Sequence, residues 1–174
     1  MEKIPSLIQN GEFDPAHQWV LEGKGTATQM WDGLCYALIQ GLPYRHIVTG
    51  EITESVIISS IHEGQVWGWE PVPEDDALFW QAWQCYQPEG LYDWSCELVG
   101  PKVNGNAENL PSYALLYHGR EVICSQQCPT LEGLSSYLAA TNTEGLVWWE
   151  NLWEPCCRKV KVQQSDFALK RRRK

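Results

Sequence analysis

Long hydrophobic runs are missing from this sequence. No stretch of its 174 residues approaches the roughly 20 consecutive apolar residues of a membrane-spanning helix, so a membrane partner is not expected. The start, Met1-Glu2-Lys3-Ile4-Pro5, lacks the basic region and apolar core of a secretory signal. A cytoplasmic location is the expectation. Internal repeats and low-complexity linkers are also missing. The seven cysteines follow neither a disulfide nor a zinc spacing. Cys156 and Cys157 are adjacent, and Cys124 and Cys128, spaced C-x3-C, are followed by no second ligand pair. They read as reduced thiols packed as small hydrophobes. Positive charge is scarce as well. With 13 Lys+Arg against 22 Asp+Glu the net charge is −9, which argues against a protein that coats nucleic acid by charge alone.

What is present is enough for a folded domain. Hydrophobic residues make up 44% of the chain, and 174 residues suffice for one domain, 1–174, with a real core. The charge is uneven. Lys170-Arg171-Arg172-Arg173-Lys174 forms a basic tail, which leaves −14 on the remaining residues. Such a tail can contact phosphates or stand as a solvated terminus. Ten tryptophans are many for this length. Trp67, Trp69, Trp148, Trp149 and Trp153 read chiefly as core and rim aromatics, with a surface for bases or sugars as the alternative.

The apolar run Leu34–Ile39, bounded by Gly33 and Gly41, predicts a buried strand. Gly41-Leu42-Pro43 is a turn signal, and Tyr44–Val48 returns as a second strand. Val56–Ile61 is another β-rich run. Residues 74–87 predict a helix, with Glu74, Asp75 and Asp76 in its first turn and Phe79, Ala82, Trp83 and Tyr86 on one face. A second helix begins at Thr130 as N-cap, with Leu131, Leu134 and Leu138 on its apolar face. Short strands are expected near 95–99, 113–117, 120–124, 144–149 and 159–163. The fold class that follows is α+β, with antiparallel sheets and a few packed helices.

The chemistry concentrates in a series of short segments. Met30-Trp31-Asp32-Gly33 would read K-x-D-G with Lys at its first position. Alone it is a weak signal, because Asp-Gly is common in turns. Downstream come Tyr44-Arg45-His46 and Trp67-Gly68-Trp69-Glu70-Pro71-Val72. Glu97-Leu98-Val99-Gly100-Pro101-Lys102-Val103-Asn104-Gly105-Asn106 follows. Glu144-Gly145-Leu146-Val147-Trp148, Lys159-Val160-Lys161 and Asp166-Phe167-Ala168-Leu169 complete the series.

In this order, over about residues 19–169, the segments resemble the ATP-dependent RNA ligases of the covalent nucleotidyltransferase superfamily. Residues 97–106 are the longest and most specific match, to E-L-I/V-G-P-K-I/V-x-G-N. The resemblance implies an ATP-grasp-like nucleotidyltransferase domain of antiparallel sheets. In that family a Lys attacks the α-phosphate of ATP and pyrophosphate departs. The AMP then passes to an RNA 5′-phosphate, which is joined to a 3′-OH. The implied ligands are ATP and Mg²⁺ or Mn²⁺, and the implied partner is RNA bearing those two ends. No protein partner is called for.

The resemblance carries roles onto this chain residue by residue. Met30 stands at the nucleophile position. Asp32 and Gly33 would shape the turn that presents it, and Thr28, Gln29, Asp32 and Gly33 would contact ATP. Arg45 would hold a phosphate with its guanidinium fork, or form a surface ion pair. Glu97 would accept from the ribose hydroxyl, or be a structural carboxylate. Leu116 or Tyr117 would lie on the adenine, or both be plain core residues. Glu144 would bind the metal, as a hard carboxylate suits Mg²⁺. Lys159 and Lys161, spaced i, i+2, would share a strand face and neutralise charge on the α-phosphate. The distance from Lys161 to Asp166-Phe167 is longer than the family pattern, so Lys161 could fill the first of the two Lys positions. Two milder departures are Gln29, where relatives tend to carry a charge, and Leu34, where Thr is common.

Met30 matches the length and apolar stem of Lys without its amine. An engineered Lys→Met change is the favoured explanation, since Glu97, Glu144, Lys159 and Lys161 are all in place. The expected function is an RNA ligase in nucleophile-dead form, which binds ATP and metal without adenylylation. The alternatives are a non-catalytic module that binds nucleotide or RNA, and a related enzyme such as a capping guanylyltransferase.

Overall fold

The computed structural model describes residues 4–50, 54, 56–62, 64–85, 94–107, 109–120, 130–141, 143–152 and 158–168. The C-x3-C pair, Cys156-Cys157, Trp153, Tyr86, all but the first residue of the strand expected at 120–124 and the basic tail lie outside these residues. In chain order the elements are β1 Ile8–Gln9, β2 Glu12–Phe13, α1 Gln18–Leu21, β3 Thr26–Met30, β4 Leu34–Ile39 and β5 Leu42–Thr49. These are followed by β6 Ile57–His62, β7 Gln65–Pro71, α2 Ala77–Cys85, β8 Trp94–Val99 and β9 Ala114–Tyr117. The last are α3 Leu131–Ala140, β10 Gly145–Trp149, β11 Lys159–Gln163 and α4 Gln164–Ala168. The architecture is α+β, and the strand pairs within its sheets are antiparallel. No helix among the described residues is long and apolar enough to cross a membrane.

The chain divides into two compact units. The first holds residues 32–118 and a six-stranded sheet in the order β6-β7-β5-β4-β8-β9. The β4–β5 turn is built on Gln40 and Gly41, with φ of 52° and 80°, the two-residue geometry whose twist matches flanking strands. Leu42 and Pro43 therefore already belong to β5, slightly earlier than the sequence suggests. Helix α2 begins after the acidic residues, not at them. Asp76 caps it, its Oδ1 accepting from the Phe79 amide at 3.3 Å. Phe79 and Ala82 are buried against Tyr36, Cys96, Leu98, Leu115 and Tyr117, with Phe79 stacked on Tyr36 at 4.7 Å between centroids. One face of the sheet is thus committed to this core.

The second unit holds residues 4–31 and 119–174, with a three-stranded sheet in the order β11-β10-β3. Helix α3 starts where the sequence predicts. Thr130 Oγ1 accepts from the Gly133 amide at 3.1 Å, and Leu134 and Leu138 are fully buried. They pack with Leu146, Trp148, Val160 and Val162 from one face of the sheet and with Leu7, Ile8, Trp19 and Val20. The edge of β11 is covered by the N-terminal segment: the Leu7 amide donates to the Lys161 carbonyl at 2.7 Å, and the Lys161 amide to the Pro5 carbonyl at 2.9 Å.

Candidate functional site

Alternation along the second unit's sheet decides which side chains meet. Gly145 stands between Met30 and Gln163, Val147 between Thr28 and Lys161, and Trp149 between Thr26 and Lys159. Directly paired residues share a face. Met30, Thr28, Lys159, Lys161 and Gln163 therefore lie on one side, and the core residues Leu146, Trp148, Val160 and Val162 on the other. The two lysines do share a face, as their spacing predicts. Gln29 pairs with Leu146 and so stands on the opposite side from Met30.

Gly145 carries no side chain between its neighbours, and a Cβ there would run into the Val162 carbonyl. Above it the Gln163 Nε2 reaches the Met30 Sδ at 3.8 Å and donates to Glu144 Oε1 at 2.9 Å. Gln163, which carries no signal in the sequence, thus connects Met30 to Glu144. The register sets Gln163, not Lys161, abreast of residue 30. Lys161 is one pair along, beside Val147 and Thr28. Lys159 lies at the far end, its Nζ 4.4 Å from the Trp149 ring centroid, a cation–π contact.

Thr28 is 1% exposed. Its hydroxyl donates to the Val147 carbonyl at 3.3 Å and accepts from Trp149 Nε1 at 2.8 Å. That hydroxyl ties β3 to β10.

In the first unit the Asp32-Gly33 turn is held by the segment that carries the longest motif. Asn104 Nδ2 donates to Asp32 Oδ1 at 2.8 Å and to the Gly33 carbonyl at 3.2 Å. Gly33 is required by close approach. A Cβ there would fall 2.6 Å from the Leu98 carbonyl oxygen and 2.7 Å from the Glu97 Cβ. Asn104 itself has φ of 42°, a conformation Asn tolerates better than most residues.

Cys35 pairs with Glu97, and Glu97 with Leu116, so the three share the sheet face opposite α2. Tyr117 falls on the other face, buried against α2 and packed edge-on to Trp94. Of the two residues considered for the adenine, Leu116 is therefore the one beside Glu97. Glu97 Oε1 lies 3.0 Å from His118 Nε2, and His118 Nδ1 lies 2.8 Å from Ser95 Oγ. Burial pushes the Cys35 thiol well above its ordinary range, and the neighbouring Glu97 carboxylate adds to the shift. Cys35 and His118 had no sequence signal as a pair, because only the strand register brings them together.

Arg45 pairs with Tyr36 and Glu70, on the α2 side of the sheet. Its Nε donates to Glu70 Oε1 at 2.6 Å. It lines a cleft of about 840 Å³ with Tyr36, His46, Asp75 and Asp76. Arg45 and Glu97 thus stand on opposite faces, and Arg45 is engaged in the ion pair that was the alternative to a phosphate role. Tyr36 donates its hydroxyl to Asp76 Oδ2 at 2.8 Å.

Two of the singled-out tryptophans are core residues, Trp69 at 3% and Trp148 at 7% exposure. Trp67 and Trp149 are half-buried. No family model matches this chain, and no curated protein matches it.

Proposed function

We propose that this chain is a nucleotidyltransferase domain of the RNA-ligase type that binds ATP with Mg²⁺ or Mn²⁺ and does not adenylylate itself. The observation that carries this reading is the shared sheet face of Met30, Lys161 and Gln163, with Glu144 joined to residue 30 through Gln163. An in-line attack on the α-phosphate needs an unprotonated amine at residue 30 and positive charge beside it. Lys161 supplies charge on that face, and Met30 supplies no amine. A single carboxylate such as Glu144 is a reasonable anchor for Mg²⁺, which keeps several waters and takes phosphate oxygens. Bound ATP would provide the AMP group, and the metal would neutralise its phosphates.

The test is to restore the amine. The Met30→Lys variant, incubated with α-labelled ATP and Mg²⁺, is expected to carry a covalent AMP adduct that survives denaturation, while the parent chain binds ATP without one. If the variant stays unlabelled although ATP binds, the chain is a non-catalytic nucleotide-binding module. Gln163 favours that second reading, because it leaves residue 30 beside a neutral amide. If neither protein binds ATP, both readings fail. If the Met30→Lys variant does form the adduct, it is examined on RNA with 5′-phosphate and 3′-OH ends, and GTP in place of ATP separates a guanylyltransferase.

A further inference from the structure

The group around Glu97 has a composition that nucleotide binding does not use. The Cys35 sulfur, a Glu97 carboxylate oxygen and a His118 ring nitrogen all lie within 4.8 Å of one another. They come from β4, β8 and the turn that follows β9, all within the first unit. We propose that Cys35, Glu97 and His118 form a binding site for a borderline-soft divalent cation of the Zn²⁺ class, with a fourth position open to water.

Ligand chemistry selects the metal. A thiolate, an imidazole and a carboxylate are the donor types of tetrahedral zinc sites, and a three-ligand set leaves one position for water. A hard cation such as Mg²⁺ prefers oxygen donors and has little use for the thiolate or the imidazole. With bonds of about 2.0–2.3 Å, tetrahedral ligand atoms stand roughly 3.3–3.8 Å apart. The His118–Glu97 separation of 3.0 Å has to open by a few tenths of an ångström. The sulfur has at most about an ångström to close. All three residues are half-buried, and side-chain rotation covers both adjustments. Thiolate and carboxylate together also cancel the charge of the dication, so no net charge is buried.

Ser95 supplies the outer contact. A metal-bound imidazole needs its second N–H held, and the Ser95 hydroxyl sits 2.8 Å from His118 Nδ1. Without metal, that hydroxyl can donate to Nδ1 while Nε2–H points at Glu97. With metal on Nε2, it turns and accepts from Nδ1–H. The pair therefore serves both tautomers without backbone movement.

This inference does not rest on the nucleotide reading, although the two share Glu97. The experiment is a Co²⁺ titration of the full chain, stripped of metal by chelator and free of ATP. The expected result is one tightly bound equivalent with a thiolate-to-cobalt charge-transfer band in the near ultraviolet and intense tetrahedral bands in the visible. Zn²⁺ should displace it and millimolar Mg²⁺ should not. Cys35→Ser should remove the charge-transfer band. Glu97→Gln and His118→Asn should weaken binding at least tenfold, and Ser95→Ala roughly tenfold. Cys85→Ser, at an exposed thiol outside the cluster, should change nothing. Absence of the thiolate band from the parent chain overturns the proposal, as does its persistence in Cys35→Ser. The parent titration needs no variant to fold, and a negative result in it leaves ATP binding untouched.

Discussion

Asn104 holds Asp32 through a 2.8 Å hydrogen bond and the neighbouring Gly33 carbonyl through one of 3.2 Å. The loop after β8 thereby fixes the turn that leads into β4. Two segments separated by some seventy residues, the Asp-Gly pair and the long motif at 97–106, are one structural feature. Asn104→Ala removes both bonds and places a less tolerant residue at a φ of 42°. A loss of roughly 1–3 kcal/mol is expected from the bonds, with about 1 kcal/mol more from the backbone. Chemical denaturation would measure it. Asn104→Gly should recover only the backbone part, and equal stability of the two variants would remove the strain argument.

Gly33→Ala tests the same turn from the other side. The new methyl would meet the Leu98 carbonyl oxygen and the Glu97 Cβ. Neither is the end of a flexible side chain, so β4 and β8 must part. Overpacking of this kind costs about 1–3 kcal/mol. The displaced Glu97 should also weaken any ligand that uses it. A melting temperature equal to that of the parent chain would show that the strands have room to spare.

How much of this was legible in the sequence depends on what each feature rests on. Strands β4, β10 and β11 were readable because apolar residues run or alternate there, and α3 because Thr130 is a strong cap before Leu131, Leu134 and Leu138. Strand β3, Thr-Ala-Thr-Gln-Met, has no such pattern and was visible only as part of a motif. The start of α2 shifted because Asp75 and Asp76 lie in a turn closed onto Pro73 and Asp75, with Asp76 left to cap. Within the site, spacing alone placed Lys159 and Lys161 on one face. The contacts of Gln163 with Met30 and of His118 with Glu97 could not be read, since both depend on cross-strand register. A one-residue slip would reverse every such pairing.

Thr28 gives a prediction about the sheet that carries Met30. Its hydroxyl is buried and is the acceptor for Trp149 Nε1. Thr28→Val keeps the shape and removes the acceptor, which strands the indole N–H of a half-buried side chain. The expected cost is about 1–3 kcal/mol, with a change in tryptophan fluorescence. Thr28→Ser should retain most of the stability. If Thr28→Val matches the parent, the indole has found another partner.

Glu150 and Arg158 extend the β10–β11 pair by one step beyond Trp149 and Lys159, at the end where the connecting segment leaves it. Arg158 donates to both Glu150 oxygens, at 2.8 and 2.6 Å, and the Glu150 amide bonds the Arg158 carbonyl at 2.9 Å. The Arg158 hydrogen bonds hold the Glu150 carboxyl below its ordinary range. A depressed carboxyl pKa contributes stability above the unfolded value, and that contribution is lost as pH falls through the folded one. Arg158→Ala should therefore lower the melting temperature slightly at neutral pH and leave it unchanged once Glu150 is protonated. Because both side chains are exposed, salt should shrink the neutral-pH difference too. A difference that persists in acid would assign Arg158 to packing, its guanidinium lying 5.7 Å from the Trp19 ring centroid.

The pairing of Met30 with Gln163 sets the last prediction. Under the proposed function, an amine introduced at residue 30 must be unprotonated to attack, and a second cation beside it would lower its pKa and draw the α-phosphate. In the present chain the residue abreast of it is a neutral amide that also occupies Glu144. Met30→Lys alone should then form the AMP adduct slowly. Met30→Lys combined with Gln163→Lys should form it at least tenfold faster, since the second substitution adds the charge and keeps a donor within reach of Glu144. Gln163→Lys without the Met30 change should bind ATP more tightly and form no adduct. Rates of label incorporation at saturating ATP separate the three. If the double variant is no faster than the single one, charge at position 163 does not limit adduct formation.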